Sequence, residues 1–219
     1  MSELAELRRE LALARAELKA LADERAPGET VVASASVSGG ERQSVLEEAA
    51  ERGRWLCALL VLQSASGTVL QGFEELISTH IVITFFLTML VGAGGNCGNQ
   101  SAIAVIRSLA LGELQLDGAS FGVIMLRQAR VGGLLAAATT SVGALRVVIT
   151  DGDLQNIVGI CASLWAIVFS SCMLGAALPF ALGKLGVDPA NAGTTIQVVM
   201  DVLGVTTTCA VCSLVFDFF

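Results

Sequence analysis

Five long apolar stretches fill most of the last 165 residues of this 219-residue sequence, and they restrict the fold more than any other feature. A helix that crosses the hydrocarbon core of a bilayer needs about 20 predominantly apolar residues. Each stretch approaches or exceeds that length. They cover residues 55–73, residues 77–95 with a small-residue extension to 111, residues 121–149, residues 154–182 with a late interruption at Pro179, and residues 194–219. The sequence therefore predicts an all-α integral membrane protein with five transmembrane helices.

Charged residues are concentrated before these stretches, since residues 1–54 hold 11 of the 20 acids and 8 of the 13 bases. Only 15% of the whole chain is charged, against roughly 25% in a soluble domain. The 54% hydrophobic content excludes a disordered chain. The net charge of −7 argues against a nucleic-acid partner, because phosphate binding requires clustered Lys and Arg. The composition predicts a lipid-embedded domain over residues 53–219 behind a polar arm.

The polar arm begins with a heptad pattern over residues 1–26. Five leucines and one alanine alternate at spacings of three and four, at positions 4, 7, 11, 14, 18 and 21. Two interpretations remain open, a short coiled coil that dimerises or docks on a partner protein, and an amphipathic helix lying on the domain or membrane surface. Residues 27–52 predict a flexible linker followed by a charged helix that leads into the membrane.

Positive charges near the predicted helix ends favour one side of the membrane. Seven basic residues would lie on that side and only Arg146 on the other; the seven are Arg42, Arg52, Arg54, Arg107, Arg127, Arg130 and Lys184. Short cytoplasmic loops carry an excess of Lys and Arg. We therefore expect the N-terminus to face the cytosol, or the matrix or stroma of an organelle, and the C-terminus to face the opposite side.

Asp201 is the carboxylate that lies well inside an apolar stretch. On a helix it shares a face with residues three, four or seven positions away, namely Thr194, Gln197, Gly204 and Thr208. We call these five residues the polar stripe. A charge in the bilayer core is costly, so polar stripes usually face a bundle interior or a watery cavity. One interpretation is a cation pathway, and the alternative is a protonated Asp201 that hydrogen-bonds across helices.

A second informative segment, residues 92–101, combines four glycines with Asn96 and Asn99. Amide oxygens suit a hydrated, oxygen-preferring cation. The glycines allow either an unwound helix whose carbonyls face a cavity or a close approach of two helices. The sequence alone leaves both interpretations of the glycines open.

Residues 92–114, GAGGNCGNQSAIAVIRSLALGEL, resemble the signature of the MgtE magnesium transporters, which runs approximately GxGGNAGxQ and continues with a VxRxLALGE stretch. The resemblance extends over most of residues 53–219. It includes the acidic hairpin GFEE at 72–75, LGVDPA at 185–190, and a Thr-rich start to a last helix that carries an Asp. It implies five spanning helices and a cytosolic N-terminus, in agreement with the hydropathy and charge patterns.

The resemblance also implies a function and a set of site residues. It implies a homodimer that transports Mg²⁺, not an enzyme, with a pore along the subunit interface. Asp201 from both copies would bind a largely hydrated Mg²⁺. Gln197 and Gly193 fall where the family lines the pore entrance, and Asn96 and Asn99 match the family's glycine-asparagine segment.

Departures from the family pattern keep a second function open. The family usually has Pro near Thr88 and at Thr194, and a Thr-Thr pair at residues 198–199, where this chain has two valines. Its bacterial members also carry a large cytosolic regulatory region where this chain has a 54-residue arm. The alternative function is therefore a transport-inactive structural subunit of a membrane protein assembly, docked through residues 1–26.

A third hypothesis comes from the cysteines, because Cys209 and Cys212 form a CxxC pair. No thioredoxin-like βαβ pattern surrounds the pair, which argues against a thiol oxidoreductase. Cysteines in apolar segments usually act as small hydrophobic side chains. His80 is the only histidine, so a His-cluster metal site is excluded, and its place near a helix start favours an interfacial role.

Overall fold

The computed structural model describes residues 45–150, 153–187 and 189–218. Helices make up nearly all of this part of the chain. They are α1 (Val45–Gln63), α2 (Ala65–Gly72), α3 (Glu74–Thr79), α4 (Val82–Ala110), α5 (Gly118–Thr150), α6 (Leu154–Lys184), a 3-10 turn at Pro189–Asn191, and α7 (Ala192–Phe218). The all-α prediction is confirmed.

Five helical segments of the described chain are long and apolar enough to cross a membrane, as predicted. The first is formed by α1 and α2 together, and the others are α4, α5, α6 and α7. Each has 27 to 33 residues, which corresponds to at least about 40 Å of helix. Since a bilayer core is about 30 Å thick, every segment can span it and extend into the interface.

Two features of the helices differ from the predicted ones. The interruption expected at Pro179 is absent, because α6 continues through this residue to Lys184. Membrane helices tolerate an internal proline when neighbouring helices compensate for the lost hydrogen bond. Helix α1 begins at Val45 and crosses residue 53 without a break, so the charged segment and the first span are one helix. The predicted heptad helix and the linker up to residue 44 lie outside the described residues.

Helices α4 and α6 form the centre of the bundle. Helix α6 packs against α4, α5 and α7, while α4 also packs against α7. Their closest approach is at two glycines, where a Cβ on Gly175 would lie 2.8 Å from the Cα of Gly98. Helix α4 is continuous through the glycine segment, so these glycines serve close packing. The unwound alternative is not what the chain adopts.

Helix α5 packs against α6 through a narrow row of buried residues at helical spacing. The buried residues are Ile124, Gln128, Gly132, Ala136, Gly143 and Val147. The rest of α5 presents large apolar side chains outward, among them Leu134, Leu145 and Ile149. An apolar surface of this extent suits contact with lipid chains.

At the end of the bundle near Val45, α4 and α6 both end in the same glycine C-cap motif. Gly112 and Gly186 have φ values of 70° and 72°, in the left-handed region. After Gly112, the amide of Glu113 donates to the carbonyl of Ser108 at 3.0 Å. After Gly186, the amide of Val187 donates to Leu182 at 2.9 Å. These are the bonds of a Schellman cap, which ends α4 and α6 and pairs carbonyls of their last turns.

Asp117 caps the N-terminus of α5 at the same end. Its carboxylate accepts a hydrogen bond from the Ser120 backbone amide at 2.6 Å. This bond, with a second from the Ser120 hydroxyl, lowers the pKa of Asp117 below its ordinary value. The cap contributes to stability above the ordinary pKa of an Asp, and this contribution is lost as the pH falls through the lowered pKa.

The opposite end of the bundle is closed around Phe216. The His80 ring lies against the Phe216 ring with a centroid distance of 4.1 Å. The Gln155 side-chain amide donates to the Phe216 carbonyl at 3.3 Å. The connection before α4, the start of α6 and the end of α7 therefore meet at one residue. His80 packs against Phe216 there, and its location at the membrane interface stays a prediction.

Candidate functional site

The polar stripe of α7 runs from the surface into the bundle. Thr194 and Gln197 are exposed, Asp201 is half-buried, and Gly204 and Thr208 are buried. Asp201 lies nine residues after Ala192, which is about 14 Å along a 27-residue helix. The carboxylate is therefore about a third of the way along the last span, where bulk water does not normally reach.

Two side-chain amides hold the Asp201 carboxylate. Gln197, one turn earlier on α7, donates from Nε2 to Oδ1 at 3.1 Å. Gln63, at the end of α1, donates from its Nε2 to the other oxygen, Oδ2. The carboxylate thus has one neutral donor on each oxygen, one from its own helix and one from the first span.

Gln63 lies at a break in the first span. Helix α1 ends at Gln63 and α2 begins at Ala65, with Ser64 in a turn between them. The Ser64 hydroxyl donates to the Val61 carbonyl at 2.6 Å, and the Ser66 hydroxyl donates to the Gln63 carbonyl at 2.7 Å. Serine hydroxyls that bond to the preceding turn compete with the helical hydrogen bonds of the backbone. The break between α1 and α2 therefore comes directly after the residue that reaches Asp201.

A second contact joins α1 to the start of the polar stripe. Trp55 donates from Nε1 to the Thr194 hydroxyl at 3.4 Å. Leu59 lies one turn after Trp55 and one turn before Gln63, and it is buried with 7% exposure. Trp55, Leu59 and Gln63 thus form one face of α1, which lies along the first two turns of the stripe.

Helix α4 borders the stripe on its other side. A Cβ on Gly95 would overlap the Gln197 side-chain amide, so this glycine leaves the space that Gln197 occupies. One turn later, the Asn99 side-chain oxygen lies 2.9 Å from the position of a Cβ on Gly193. The glycine-asparagine segment of α4 and the beginning of α7 therefore share one boundary.

The structure brings together four of the five predicted site residues in two contacts. Asp201 and Gln197 are hydrogen-bonded, and Gly193 contacts Asn99. Asn96 is exposed on α4, one turn before Asn99. Within residues 45–150, 153–187 and 189–218 no hydrogen bond joins Asn96 to the other four.

Sequence reasoning did not identify Gln63 or Trp55 as neighbours of the stripe. Their contacts join residues 138 and 139 positions apart, and no spacing rule relates two such distant helices. One signal was present in the sequence. Trp55, Leu59 and Gln63 repeat at intervals of four, so a tryptophan and an amide share one face of an otherwise apolar helix.

The donors at this site suit an ion that keeps its water. Over the described part of the chain, no group of three or more His, Cys, Asp or Glu side chains is placed to hold a metal ion. The polar stripe instead offers one carboxylate, one side-chain amide and two hydroxyls per chain. Mg²⁺ loses its water reluctantly and is commonly bound through one or two carboxylates and several retained waters.

Two other regions of the described chain lack the donors of an ion site. A cavity of about 670 Å³ between α4, α5 and α6 is lined by apolar side chains such as Phe85 and Met89, with Arg146 at one end. It contains no carboxylate and is separate from Asp201. Cys209 and Cys212 are both buried in α7, as expected for structural cysteines and not for an exposed redox pair.

Comparisons with known proteins point to one family. Residues 87–211 match the MgtE family, described as a divalent cation transporter. The chain is 40% identical to the magnesium transporter MgtE of Thermus thermophilus over 141 residues. This matched region is 64% of this chain and 30% of the relative. The chain is 30% identical over 156 residues to the MgtE of Enterococcus faecalis and over 150 residues to that of Bacillus subtilis, each covering 68% of this chain and 33% of the relative. The chain thus spans about a third of the length of these relatives.

Proposed function

Because this chain belongs to the MgtE family of divalent cation transporters, we propose that it carries Mg²⁺ across a membrane through a pore at a homodimer interface, with Asp201 as the main ion-binding residue. The chain is a multi-pass membrane protein, and its family places it among transporters and not among enzymes. The observation that carries the proposal is a half-buried carboxylate, inside a spanning helix, on a stripe whose outer part is exposed.

The exposure of the stripe supports a second copy at this surface. Thr194 and Gln197 are exposed on the single chain, so without a partner they would meet lipid in the membrane. Polar side chains on a spanning helix rarely face lipid, because hydrocarbon offers them no hydrogen-bond partner. A second chain related by two-fold symmetry would enclose the stripe and place two Asp201 carboxylates on one water-filled path.

Hydrated Mg²⁺ would use the same contacts that the two amides make now. Waters bound to the ion are hydrogen-bond donors, like the Gln63 and Gln197 amides that occupy the Asp201 oxygens. In the proposed bound state these waters take the place of the amide hydrogens. A half-turn of the Gln197 amide then directs its oxygen towards the ion. Two Asp201 charges, one per copy, would balance the divalent cation.

The remaining predicted residues belong to the proposed entrance of the path. Gly193 and Asn99 are in contact at the end of the stripe near Val45, and Asn96 is exposed on the same helix as Asn99. Amide oxygens there would accept hydrogen bonds from the waters of an approaching ion. We propose that Gly193 leaves room for the hydrated ion while Asn96 and Asn99 orient it.

The same end would face the cytosol, or the matrix or stroma of an organelle. Six of the basic residues counted for that side lie in the described residues; they are Arg52, Arg54, Arg107, Arg127, Arg130 and Lys184. The opposite end carries Glu74, Glu75 and Asp217. Labelling of single cysteines placed at Lys184 and at Asp217 with a membrane-impermeant maleimide tests this orientation. Labelling of both positions from one side would contradict it.

The central experiment measures Mg²⁺ flux into liposomes that contain the purified chain. Asp201→Asn keeps the shape and one oxygen but removes the charge, so we expect a flux lower by roughly tenfold or more, as for loss of a charge-assisted contact. Asp201→Glu keeps the charge in a longer side chain and should give an intermediate flux. Asp217→Asn is the matched control, because Asp217 is an exposed carboxylate at the far end of the same helix.

The possible results separate the competing functions. Wild-type flux that Asp201→Asn leaves unchanged would support a protonated Asp201 with a structural role. Absence of flux in the wild type would favour the structural-subunit alternative, in which the fold and the departures at Thr194, Val198 and Val199 are kept without transport. The mass of the detergent-solubilised protein by light scattering tests the dimer, and a monomer would contradict a pore between two copies.

A further inference from the structure

We propose that Cys97 and Cys172 are an oxidisable pair that forms a disulfide between α4 and α6. Cys97 lies in the glycine segment of α4, and Cys172 lies in the middle of α6. Their sulfur atoms are 2.7 Å apart, with exposures of 9% and 0%. The function proposed above uses neither thiol.

The sulfur separation is the first argument for a bond. The two free thiols lie within hydrogen-bond distance of each other, with 2.7 Å between their sulfur atoms. A disulfide has a sulfur separation of about 2.05 Å. The pair is therefore in direct contact, and only a small further approach separates it from a bond.

The surrounding packing is the second argument, because it fixes both backbones in this position. On one side of the pair, the Ser171 hydroxyl donates to the Gly94 carbonyl of α4. On the other side, Gly175 of α6 contacts the backbone of Gly98. Behind Cys172, α5 approaches through Gly132, where a Cβ would lie 2.9 Å from the Cys172 Cβ. The cross-link would therefore form without rearranging the helices.

The oxidant would be a small, uncharged peroxide, which can enter a protein interior that larger reagents cannot. One sulfur attacks a peroxide oxygen and becomes a sulfenic acid, and the other peroxide oxygen leaves as water. The second sulfur then attacks the sulfenic sulfur, the S–S bond forms, and a second water leaves. Two thiols and one hydrogen peroxide thus give one disulfide and two waters.

The expected consequence is a covalent link between helices that are already in contact. The link closes a loop from residue 97 to residue 172 and so restricts the unfolded chain. Oxidation should raise the midpoint of thermal unfolding by several degrees. Because the sulfurs already touch, it should leave Mg²⁺ flux unchanged wherever flux is observed.

The test uses the purified full-length chain in detergent, first reduced and then treated with hydrogen peroxide. Remaining thiols are blocked with N-ethylmaleimide, and the digested protein is analysed by mass spectrometry. We expect a linked pair of peptides that contain Cys97 and Cys172, with two hydrogens fewer than the separate peptides. The exposed Cys57 shows that the oxidant was active, and Cys161→Ser on α6 is the matched control variant.

Two outcomes would overturn the proposal. One is recovery of Cys97 and Cys172 as alkylated thiols in a sample whose Cys57 is oxidised. The other is a disulfide that links Cys97 or Cys172 to a different cysteine. Cys97→Ala should remove both the linked peptides and the oxidation-dependent rise, while Cys161→Ser should keep both. The mass measurement needs no variant and no transport activity, so failure of the proposed function would not affect it.

Discussion

The central helices α4 and α6 differ from the first span in how they are held. In the most apolar 18-residue segment of α4 and of α6, 44% of the residues are buried. In the corresponding segment of the first span, only 6% are buried. The central pair is joined by backbone contacts at Gly98 and Gly175. The first span is joined to α7 mainly through side chains, with Trp55 and Gln63 as its polar contacts.

Because of this difference, we expect the central pair to be more rigid than the attachment of the first span. Backbones in direct contact have no room to slide, and closely packed interiors do not deform continuously. A helix attached through side-chain tips can separate after the loss of a few weak contacts, each worth about 1 kcal/mol. The carboxylate of Asp201 lies at the boundary of the two regions. We therefore expect the rigid pair to position the ion site, and the first span to cover and uncover it.

The largest effect is expected from crowding the central pair. Gly175→Ala places a methyl group against the Gly98 backbone, which cannot move aside as a flexible side chain could. Overpacking of this kind typically costs about 1–3 kcal/mol, and here it should reach or exceed the upper value. The measurements are the yield of monodisperse protein and the thermal unfolding midpoint in detergent.

The matched control is Gly133→Ala on α5, where an added Cβ would meet no atom within 4 Å. This substitution should leave stability unchanged or raise it by up to about 1 kcal/mol, because alanine favours the helix. If Gly175→Ala unfolds at the same temperature as Gly133→Ala, the α4–α6 contact is not rigid and the comparison with the first span fails.

Much of this architecture could be predicted from the sequence, because a membrane span is recognised from its own residues alone. Twenty or so consecutive apolar residues predict a span without knowledge of its neighbours. The alignment of Gln197 and Asp201 was also predictable, since residues four apart share a helix face. The family resemblance grouped Asn96 and Asn99 with the start of α7, and their role at an ion path stays a prediction; the structure shows Asn99 next to Gly193.

Contacts between distant helices could not be predicted from the sequence, because no local pattern determines how two apolar helices are rotated against each other. Gln63 could be seen as a polar residue near the middle of a span, but its bond to Asp201 depends on how α1 lies against α7. The roles of the glycines were equally undetermined. Unwinding and close packing use the same residue, and only the position of Gly175 on the neighbouring helix decides for packing.

A smaller effect, on function more than on stability, is expected at the attachment of the first span. Gln63→Ala removes one of the two amide donors to Asp201, which in the proposed function would compete with the waters of the ion. Loss of one hydrogen bond of about 0.6–1.4 kcal/mol should lower the Mg²⁺ concentration for half-maximal flux by roughly threefold to tenfold. The measurement is the concentration dependence of Mg²⁺ uptake into liposomes.

Gln71→Ala is the control for this prediction, because Gln71 is an exposed amide on α2 of the same span. It should leave the concentration dependence unchanged. A curve for Gln63→Ala that superimposes on that for Gln71→Ala would show that Gln63 does not compete with the ion. The first span would then be part of the scaffold and not a cover over the site.

The smallest effect is expected at the other attachment point, between Trp55 and Thr194. Trp55→Phe keeps most of the ring surface but removes the Nε1 donor, and Thr194→Val removes the hydroxyl acceptor at nearly constant volume. At a donor–acceptor distance of 3.4 Å the bond is long, so the coupling energy should be about 0.5 kcal/mol. Denaturant unfolding of the wild type, both single variants and the double variant gives this value as a double-mutant cycle. A coupling of about 2 kcal/mol or more would mean that α1 is fixed to α7 as firmly as α4 is to α6, and the contrast between the two regions would fail at this contact.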